Sequence, residues 1–185
     1  MGRAKGELSG LDPGVSNSER LVRISRELGF KTVEVGVGNT TADIKIDDGL
    51  RKGPLSAIVY GLRSIGELGS AERIVVLGCD LYLLSKEALG AFVDFSKNSS
   101  AVMVVKGVEN WSMLSIDPTS FTKIATLFDQ GERRLSGAFS HIGGLLRVAA
   151  VDLGDFLEET FVDFDTQDEY LRRFPLSAWR LPNDR

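Results

Sequence analysis

The stretch that decides the fold covers residues 74–80 and reads Ile74-Val75-Val76-Leu77-Gly78-Cys79-Asp80. Four consecutive aliphatic residues, three of them β-branched, are typical of a strand buried on both faces of a parallel sheet. Ligands of open α/β sheets bind beyond the carboxyl ends of the strands, which is where Asp80 stands. Alternatively, Asp80 caps a helix predicted to begin near Ser85, and this stretch alone does not decide between the two.

Length and composition indicate one α/β domain over residues 1–185. The chain has 185 residues and a mass of 20.2 kDa, a size at which a single core buries most of the chain. The net charge is −4, the pI is about 5.1, and the Lys and Arg residues are scattered, which argues against nucleic acid or a membrane surface as partner. The sequence shows neither an apolar run of about 18 residues nor a secretion signal. We expect a cytoplasmic protein that is a monomer or a weak homo-oligomer.

The single cysteine and the single histidine limit the chemistry. Cys79 cannot form an internal disulfide, and within an apolar stretch it is expected to be a buried, inert residue. His141 by itself excludes a multi-histidine metal site, and a structural or surface role is expected for it. Any bound metal ion must therefore be held by oxygen atoms.

Apolar spacing predicts alternating strands and helices along the chain. Before the deciding stretch, the pattern predicts a helix over 17–29, strands over 31–37 and 42–46 in one sheet, and a helix from Gly53-Pro54 to Ile65. After it, the pattern predicts helices over 85–95, 121–128 and from 131 onward, strands over 101–105, 111–116 and 145–151, a short helical turn over 155–159, and a helix over 166–174 in which Thr166 and Glu169 have capping-box spacing. The predicted fold is a three-layer α/β domain with a mostly parallel central sheet.

Carboxylates follow three of the predicted strand ends: Asp47-Asp48, Asp80, and Asp163 with Asp165. If two of these groups meet, they form a hard oxygen site for Mg²⁺, which typically takes one or two protein carboxylates together with substrate phosphates. The alternative is that each aspartate only caps a helix or shapes a turn. Gly2, Lys5 and Gly6 could offer backbone N–H groups and an ammonium to a phosphate, or could belong to an ordinary chain terminus.

Several of these segments resemble the molybdenum cofactor guanylyltransferases and the wider group of nucleotidyltransferases that share their Rossmann-like domain. Met1-Gly2-Arg3-Ala4-Lys5 resembles the end of the family's glycine-rich signature, and Leu77-Gly78-Cys79-Asp80 resembles a strand end that closes in Cys-Asp. The other similar segments are Asp47-Asp48 with Gly53-Pro54-Leu55-Ser56-Ala57-Ile58, Gly131-Glu132-Arg133-Arg134, and residues 163–169. Together they span nearly the whole chain.

This resemblance implies a Rossmann-like, nucleotide-diphospho-sugar-transferase type of fold and a reaction that moves GMP from GTP to molybdopterin with release of pyrophosphate. By analogy, Lys5 contacts the phosphates and acts with Asp80 in catalysis, and Asp80 and Asp165 bind Mg²⁺. The remaining implied contacts are Gly2, Asp48 and Gly53 with the nucleotide, and Arg133 and Arg134 with a phosphorylated pterin acceptor. The alternatives are CTP or another small acceptor, or a catalytically silent nucleotide-binding or regulatory domain.

The chain also departs from the family pattern. The similarity begins inside the glycine-rich signature, so the first strand and its phosphate-binding turn have no counterpart in the sequence given. A misassigned start, a shortened protein and a loss of catalysis would each produce this, and we expect the chain as given to be a poor catalyst. Tyr82 and Gln167 replace prolines of the family, and Trp111 falls in the segment that normally helps to receive the pterin.

Overall fold

The structure is a computed structural model that describes residues 7–9, 11–12, 14–36, 38–47, 53–65, 71–156, 158–164 and 166–174. Its helices are α1 (Asn17–Glu27), α2 (Pro54–Ile65), α3 (Lys86–Phe95), α4 (Phe121–Asp129), α5 (Leu135–Ser140) and α6 (Gln167–Arg173). Its strands are β1 (Val33–Val35), β2 (Ile44–Ile46), β3 (Ile74–Leu77), β4 (Ala101–Val105), β5 (Val108–Ile116) and β6 (Leu146–Ala149). Short 3₁₀ turns cover Pro118–Ser120, Ala150–Leu153 and Glu158–Phe161.

In the described part of the chain, four strands form the main sheet in the order β3-β5-β4-β6. β5 is antiparallel to both β3 and β4, while β4 and β6 are parallel. Consequently β3, β4 and β6 all run in one direction and β5 alone runs against them. The domain is therefore mixed α/β with mostly parallel strands, which is consistent with a Rossmann-like fold.

The connection between β4 and β5 is a tight hairpin that the sequence analysis did not predict. Lys106 and Gly107 both have positive φ angles, of 51° and 79°, as in the two-residue turns that match the twist of antiparallel strands. Because the turn is so short, β5 pairs with β4 from Val108 onward rather than beginning at Trp111. The reversal of β5 follows directly from this turn.

The first two strands pair in parallel with each other, forming a separate two-stranded sheet. The prediction that these two strands share one sheet is confirmed, although among the described residues no strand joins β1 to β3. Helix α2 connects the two sheets by packing: a methyl group built at Gly61 would lie 2.7 Å from Cγ2 of Val35, so only glycine allows this close approach. Leu55, Val59 and Leu62 of α2 belong to a core that includes residues of the main sheet.

Helices cover both faces of the main sheet. One core combines α2, α4 and α5 with Val102, Leu114 and Ile116 of the sheet. The other combines α1 and α3 with alternate residues of β4, such as Ala101 and Met103. β3 contacts both cores, yet each of its four residues stays partly exposed because, among the described residues, β3 pairs on one side only, so the prediction that it is fully buried was wrong.

Side-chain N-caps begin the helices α1, α3 and α6. The Ser16 and Ser85 side chains accept hydrogen bonds from the backbone N–H groups of Glu19 and Ala88, at the starts of α1 and α3. Thr166 and Glu169 form the predicted capping box of α6. The helix predicted from Gly131 begins only at Leu135, because residues 131–134 form the turn before it. Within the described ranges, the helices are too short or too polar to cross a bilayer.

Candidate functional site

Asp80 lies in the turn directly after β3, at the carboxyl end of the strand. The backbone N–H of Gly78 donates to the carbonyl of Ser112 on β5 at 2.7 Å, which extends the pairing of the two strands up to this turn. The capping alternative for Asp80 is excluded, since Ser85 itself caps α3. Cys79 is exposed, so the prediction that it is buried was wrong, because it stands in the turn and not in the strand.

The carboxylate of Asp80 folds back over Gly78 toward β5. A methyl group built at Gly78 would lie 2.5 Å from Oδ1 of Asp80, 2.7 Å from Cβ of Ser112 and 2.9 Å from Oγ of Ser112. The Asp80 and Ser112 side chains thus converge on the space that the missing side chain of Gly78 leaves open. Oδ1 of Asp80 is buried there.

A second carboxylate reaches the same place from the segment before α6. The hydroxyl of Ser112 hydrogen-bonds to Oδ2 of Asp163 at 3.3 Å, and the backbone N–H of Phe164 donates to the carbonyl of Asp80 at 3.3 Å. Buried Asn110 fixes this segment further, because its side-chain amide donates to the carbonyl of Phe161 at 2.6 Å. Two of the three predicted aspartate clusters therefore meet beside Ser112.

These groups fit Mg²⁺ by their chemistry. In the described part of the chain, no three carboxylate, histidine or cysteine side chains come together. Asp80 and Asp163 nevertheless offer two carboxylates, with the Ser112 hydroxyl between them, and a nucleotide-bound Mg²⁺ needs only one or two protein carboxylates because phosphates and water complete its shell. The donor set would not suit a softer metal that prefers sulfur or nitrogen.

Helix α1 holds the Asp80 turn from the opposite side. Nδ2 of Asn17 donates to the carbonyl of Cys79 at 2.9 Å, and Nη2 of Arg20 donates to the carbonyl of Leu81 at 2.8 Å. Nη1 of Arg20 also donates to the carbonyl of Leu84. Asn17 and Arg20 are both buried, so these hydrogen bonds are shielded from water.

Aromatic side chains pack together next to the Asp80 turn. The ring of buried Tyr82 packs edge-on against Phe164 and Tyr170, with centroids 5.6 Å and 5.0 Å away. Burial raises the pKa of Tyr82, so its phenol stays neutral at physiological pH. Tyr82 thus connects the Asp80 turn to α6 through apolar contact.

Four of the predicted site residues, Gly2, Lys5, Asp48 and Asp165, lie outside the described residues. Gly53 is described: it is exposed, has a φ of 94°, and its carbonyl accepts from the backbone N–H of Ala57 as α2 begins. A role for these residues in nucleotide or metal binding stays a prediction.

Arg133 and Arg134 occupy the turn between α4 and α5. The guanidinium of Arg133 lies 4.4 Å from the ring centre of Phe128, and its Nη1 donates to the Phe128 carbonyl at 2.6 Å. The Arg134 side chain is 82% exposed, with its Nε 3.8 Å from Oε1 of Glu132. The backbone N–H groups of Arg134 and Arg133 donate to Glu132 and hold the pKa of its carboxyl below the ordinary value. Arg133 thus stabilises the end of α4, while Arg134 is available to a ligand.

A groove of about 440 Å³ lies beside the acidic segment. Val162 and Phe164, the neighbours of Asp163, line it together with Leu83. Lys106, Glu159 and Arg173 complete the lining. Its walls are mainly apolar, in contrast to the oxygen-rich space beside Ser112, and the two features have different chemistry.

Four residues around Asp80 were not predicted from the sequence to belong to the site: Asn17, Arg20, Asn110 and Ser112. One signal was present in the sequence: Asn17 and Arg20 share the helical face of Leu21 and Ile24, so polar residues stand where an amphipathic helix is normally apolar. Asn110 and Ser112 gave no such signal, since polar residues within a strand are ordinary on a half-exposed face.

Comparison with known proteins gives structural similarity without sequence similarity. No protein-family model matches the chain, and no curated protein matches it by sequence. Molybdopterin-guanine dinucleotide biosynthesis protein A from Archaeoglobus fulgidus superimposes with a TM-score of 0.71 at 15% identity, over 97% of this chain and 93% of that one. A protein from Aquifex aeolicus VF5 superimposes with a TM-score of 0.66 at 17% identity, over 80% of this chain and 78% of that one.

At these identities the comparisons show the fold alone. The similarity to the Archaeoglobus protein extends over almost the whole length of both chains. The two-stranded sheet and the four-stranded sheet described above thus both belong to an architecture that occurs in a protein of molybdopterin-guanine dinucleotide biosynthesis.

Proposed function

We propose that this protein is a Mg²⁺-dependent nucleotidyltransferase of molybdenum cofactor biosynthesis that moves GMP from GTP to molybdopterin. The observation that carries the proposal is the meeting of Asp80 and Asp163 beside Ser112, at the carboxyl end of β3. This is the edge of an α/β sheet at which ligands bind. The fold shared with the Archaeoglobus protein supports the same conclusion, and we propose that the domain is of the nucleotide-diphospho-sugar-transferase type.

In the proposed reaction, a phosphate oxygen of the pterin acceptor attacks the α-phosphorus of GTP. A new P–O bond forms to the acceptor, the bond between the α-phosphorus and the bridging oxygen breaks, and pyrophosphate leaves with that oxygen. No side chain of the protein needs to act as nucleophile, because the acceptor supplies one. The protein's task is to align the two phosphates and to offset their charge.

Asp80 and Asp165 are the proposed metal ligands, and Asp163 is added to them because the structure brings it to Ser112. Bound Mg²⁺ would neutralise charge that develops on the phosphates. Lys5 is proposed to contact the phosphates and, with Asp80, to be catalytic. Ser112 orients the Asp163 carboxylate by its hydrogen bond, and the backbone N–H of Phe164 holds the two acidic segments together.

Gly2, Asp48 and Gly53 are proposed to contact the nucleotide, and Arg133 and Arg134 the acceptor phosphate. Arg134 is the more accessible of the two arginines, since 82% of its side chain is exposed. Arg133 would contribute by ordering the turn, because its guanidinium already contacts Phe128. A lysine at position 134 would lose the planar, two-pronged geometry that suits a phosphate.

The test is turnover with purified molybdopterin and each nucleoside triphosphate in turn, with Mg²⁺ present. Pyrophosphate release and a GMP adduct of the pterin, identified by mass spectrometry, are expected with GTP and not after Asp80→Asn. A product formed only with CTP would show that the choice of base is wrong. Binding of GTP without any transfer would show that the domain is a silent nucleotide-binding module.

A further inference from the structure

The face of α1 that packs against the main sheet carries two polar residues, Asn17 and Arg20. Asn17 is completely buried, and Arg20 is only 3% exposed. An arginine is rarely buried to this extent, because its guanidinium must give up bound water. Burial accordingly lowers the pKa of Arg20, and the charge of Asp12 acts in the opposite direction. This placement needs a reason other than apolar packing.

The hydrogen bonds of the two side chains give that reason. The Asn17 side-chain oxygen accepts from Nε and Nη2 of Arg20 at 3.0 Å and 2.8 Å, so the two residues act as one unit. From this unit, Asn17 donates to the carbonyl of Cys79, while Arg20 donates to the carbonyls of Leu81 and Leu84. Every one of these contacts with the rest of the chain falls on the loop that contains Asp80.

The contacts bracket Asp80 closely. Asn17 holds the carbonyl directly before Asp80, and Arg20 holds the carbonyl directly after it. The carbonyl of Asp80 itself accepts from the backbone N–H of Phe164. Three successive peptide groups are therefore fixed by donors from two different parts of the chain, which leaves the backbone at Asp80 little freedom to turn.

We propose that Asn17 and Arg20 are positioning residues for Asp80: they fix the peptide groups on both sides of it so that its carboxylate stays directed toward Ser112 and Asp163. The proposal rests on the proposed function, since it makes this unit the support of a metal ligand. Neither residue is among the proposed nucleotide contacts. Supporting residues of this kind commonly change metal affinity by about 10- to 100-fold when they are altered.

Asn17→Asp separates positioning from general stability. Aspartate has the shape of asparagine and keeps the oxygen that accepts from Arg20, so the buried unit gains an ion pair. The aspartate side chain cannot donate to the carbonyl of Cys79, however, because a second carboxylate oxygen replaces the donating NH₂ group and repels the carbonyl oxygen. We expect the variant to remain folded, with a melting temperature near that of the wild type, and with faster amide hydrogen exchange over residues 79–84.

The decisive measurement is calorimetric titration of GTP with Mg²⁺ and with EDTA. In Asn17→Asp, the Mg²⁺-dependent part of the affinity is expected to fall about 10-fold or more, while affinity in EDTA is unchanged. Arg26→Lys is the matched control: Arg26 is also on α1, but it binds Thr41 and Asp43 instead of the site loop. It should leave both affinities at the wild-type values.

Two results would overturn the proposal. If the wild type shows Mg²⁺-dependent binding and Asn17→Asp shows the same dependence, the pair does not position Asp80, although the proposed function survives. If the wild-type affinity itself ignores Mg²⁺, the proposed function fails, and the positioning role fails with it.

Discussion

Glycine at position 78 is predicted to be indispensable to the Asp80 site, and Gly78→Ala tests this with the smallest possible change. The new methyl group would lie 2.5 Å from Oδ1 of Asp80 and 2.7 Å from Cβ of Ser112, whereas ordinary van der Waals contacts begin at 3.4 Å. The φ angle of Gly78 is not positive, so alanine meets no backbone strain there. A loss of stability or of binding must therefore come from the contacts of the new methyl group with Asp80 and Ser112.

The expected loss of stability and affinity depends on whether Ser112 or Asp80 can move away from the new methyl group. Ser112 is on β5, and its carbonyl accepts from the N–H of Gly78 at 2.7 Å, so its Cβ cannot retreat without separating the paired chains. The Asp80 side chain can rotate away, at the cost of leaving its place beside Ser112. Overpacking of this kind destabilises proteins by about 1–3 kcal/mol. If the carboxylate is displaced, Mg²⁺-dependent GTP binding should weaken at least about tenfold, which corresponds to about 1.4 kcal/mol.

The assay combines urea unfolding with calorimetric titration of GTP in the presence of Mg²⁺. Gly143→Ala is the matched control, because a methyl group at Gly143 meets nothing within 4 Å and this glycine also lacks a positive φ. It should change stability by less than about 0.5 kcal/mol. If Gly78→Ala resembles this control in both measurements, the Asp80 carboxylate does not occupy the space over Gly78 and the description of the site is wrong.

Three further predictions concern the fold. Thr166→Ala removes the side-chain half of the α6 capping box and should cost about 1 kcal/mol in urea unfolding, whereas an unchanged midpoint would show that the cap contributes nothing. Gly90→Ala, inside α3, should stabilise by up to about 1 kcal/mol, since the new methyl group meets only Cδ2 of Leu28 at an ordinary 3.6 Å; a lower melting temperature would contradict this. The hydrogen bond from Arg26, with those from Thr32, lowers the pKa of the Asp43 carboxyl. The ionised carboxyl therefore stabilises the folded protein at pH values above its unfolded pKa of about 4, and this stabilisation is lost as the pH falls toward the depressed folded pKa. Asp43→Asn should therefore lose less stability than the wild type between neutral and acidic pH, and equal losses would refute the assignment.

The starts of three helices could be predicted well from the sequence, because local chemistry sets them. Ser16, Ser85 and Thr166 each place an oxygen at the start of an apolar-periodic segment, and each is an N-cap in the structure. The strand with Asp80 at its end was also predicted correctly, since its aliphatic run ends within the same few residues. These features depend on neighbours in the sequence.

Features that depend on distant neighbours were less predictable. The reversal of β5 requires that Lys106 adopt a positive φ, which non-glycine residues seldom do, so the pair Lys106-Gly107 gave only a weak turn signal. The separation of β1 and β2 from the main sheet is a matter of which strands become neighbours, and their own residues do not determine that. Partial exposure of β3 follows from the same cause.

The candidate site shows the same division. The acidic clusters around Asp80 and Asp163 could be found from their places at strand ends, but the groups that join them, Ser112 and the N–H of Phe164, come from segments far apart in sequence. Arg20 was visible as a polar residue on an apolar helix face, although its partners on the Asp80 loop, 61 and 64 residues away, were not.

Calorimetric titration of GTP into wild type and Asp80→Asn, each with Mg²⁺ and with EDTA, measures whether Asp80 takes part in binding a metal–nucleotide complex. Asp152→Asn serves as control, because it removes one negative charge at an exposed position of the Ala150–Leu153 turn. Mg²⁺ is expected to tighten GTP binding to the wild type and the control, and Asp80→Asn is expected to bind GTP equally with and without Mg²⁺. An Asp80→Asn protein that retains the full Mg²⁺ dependence would contradict this expectation.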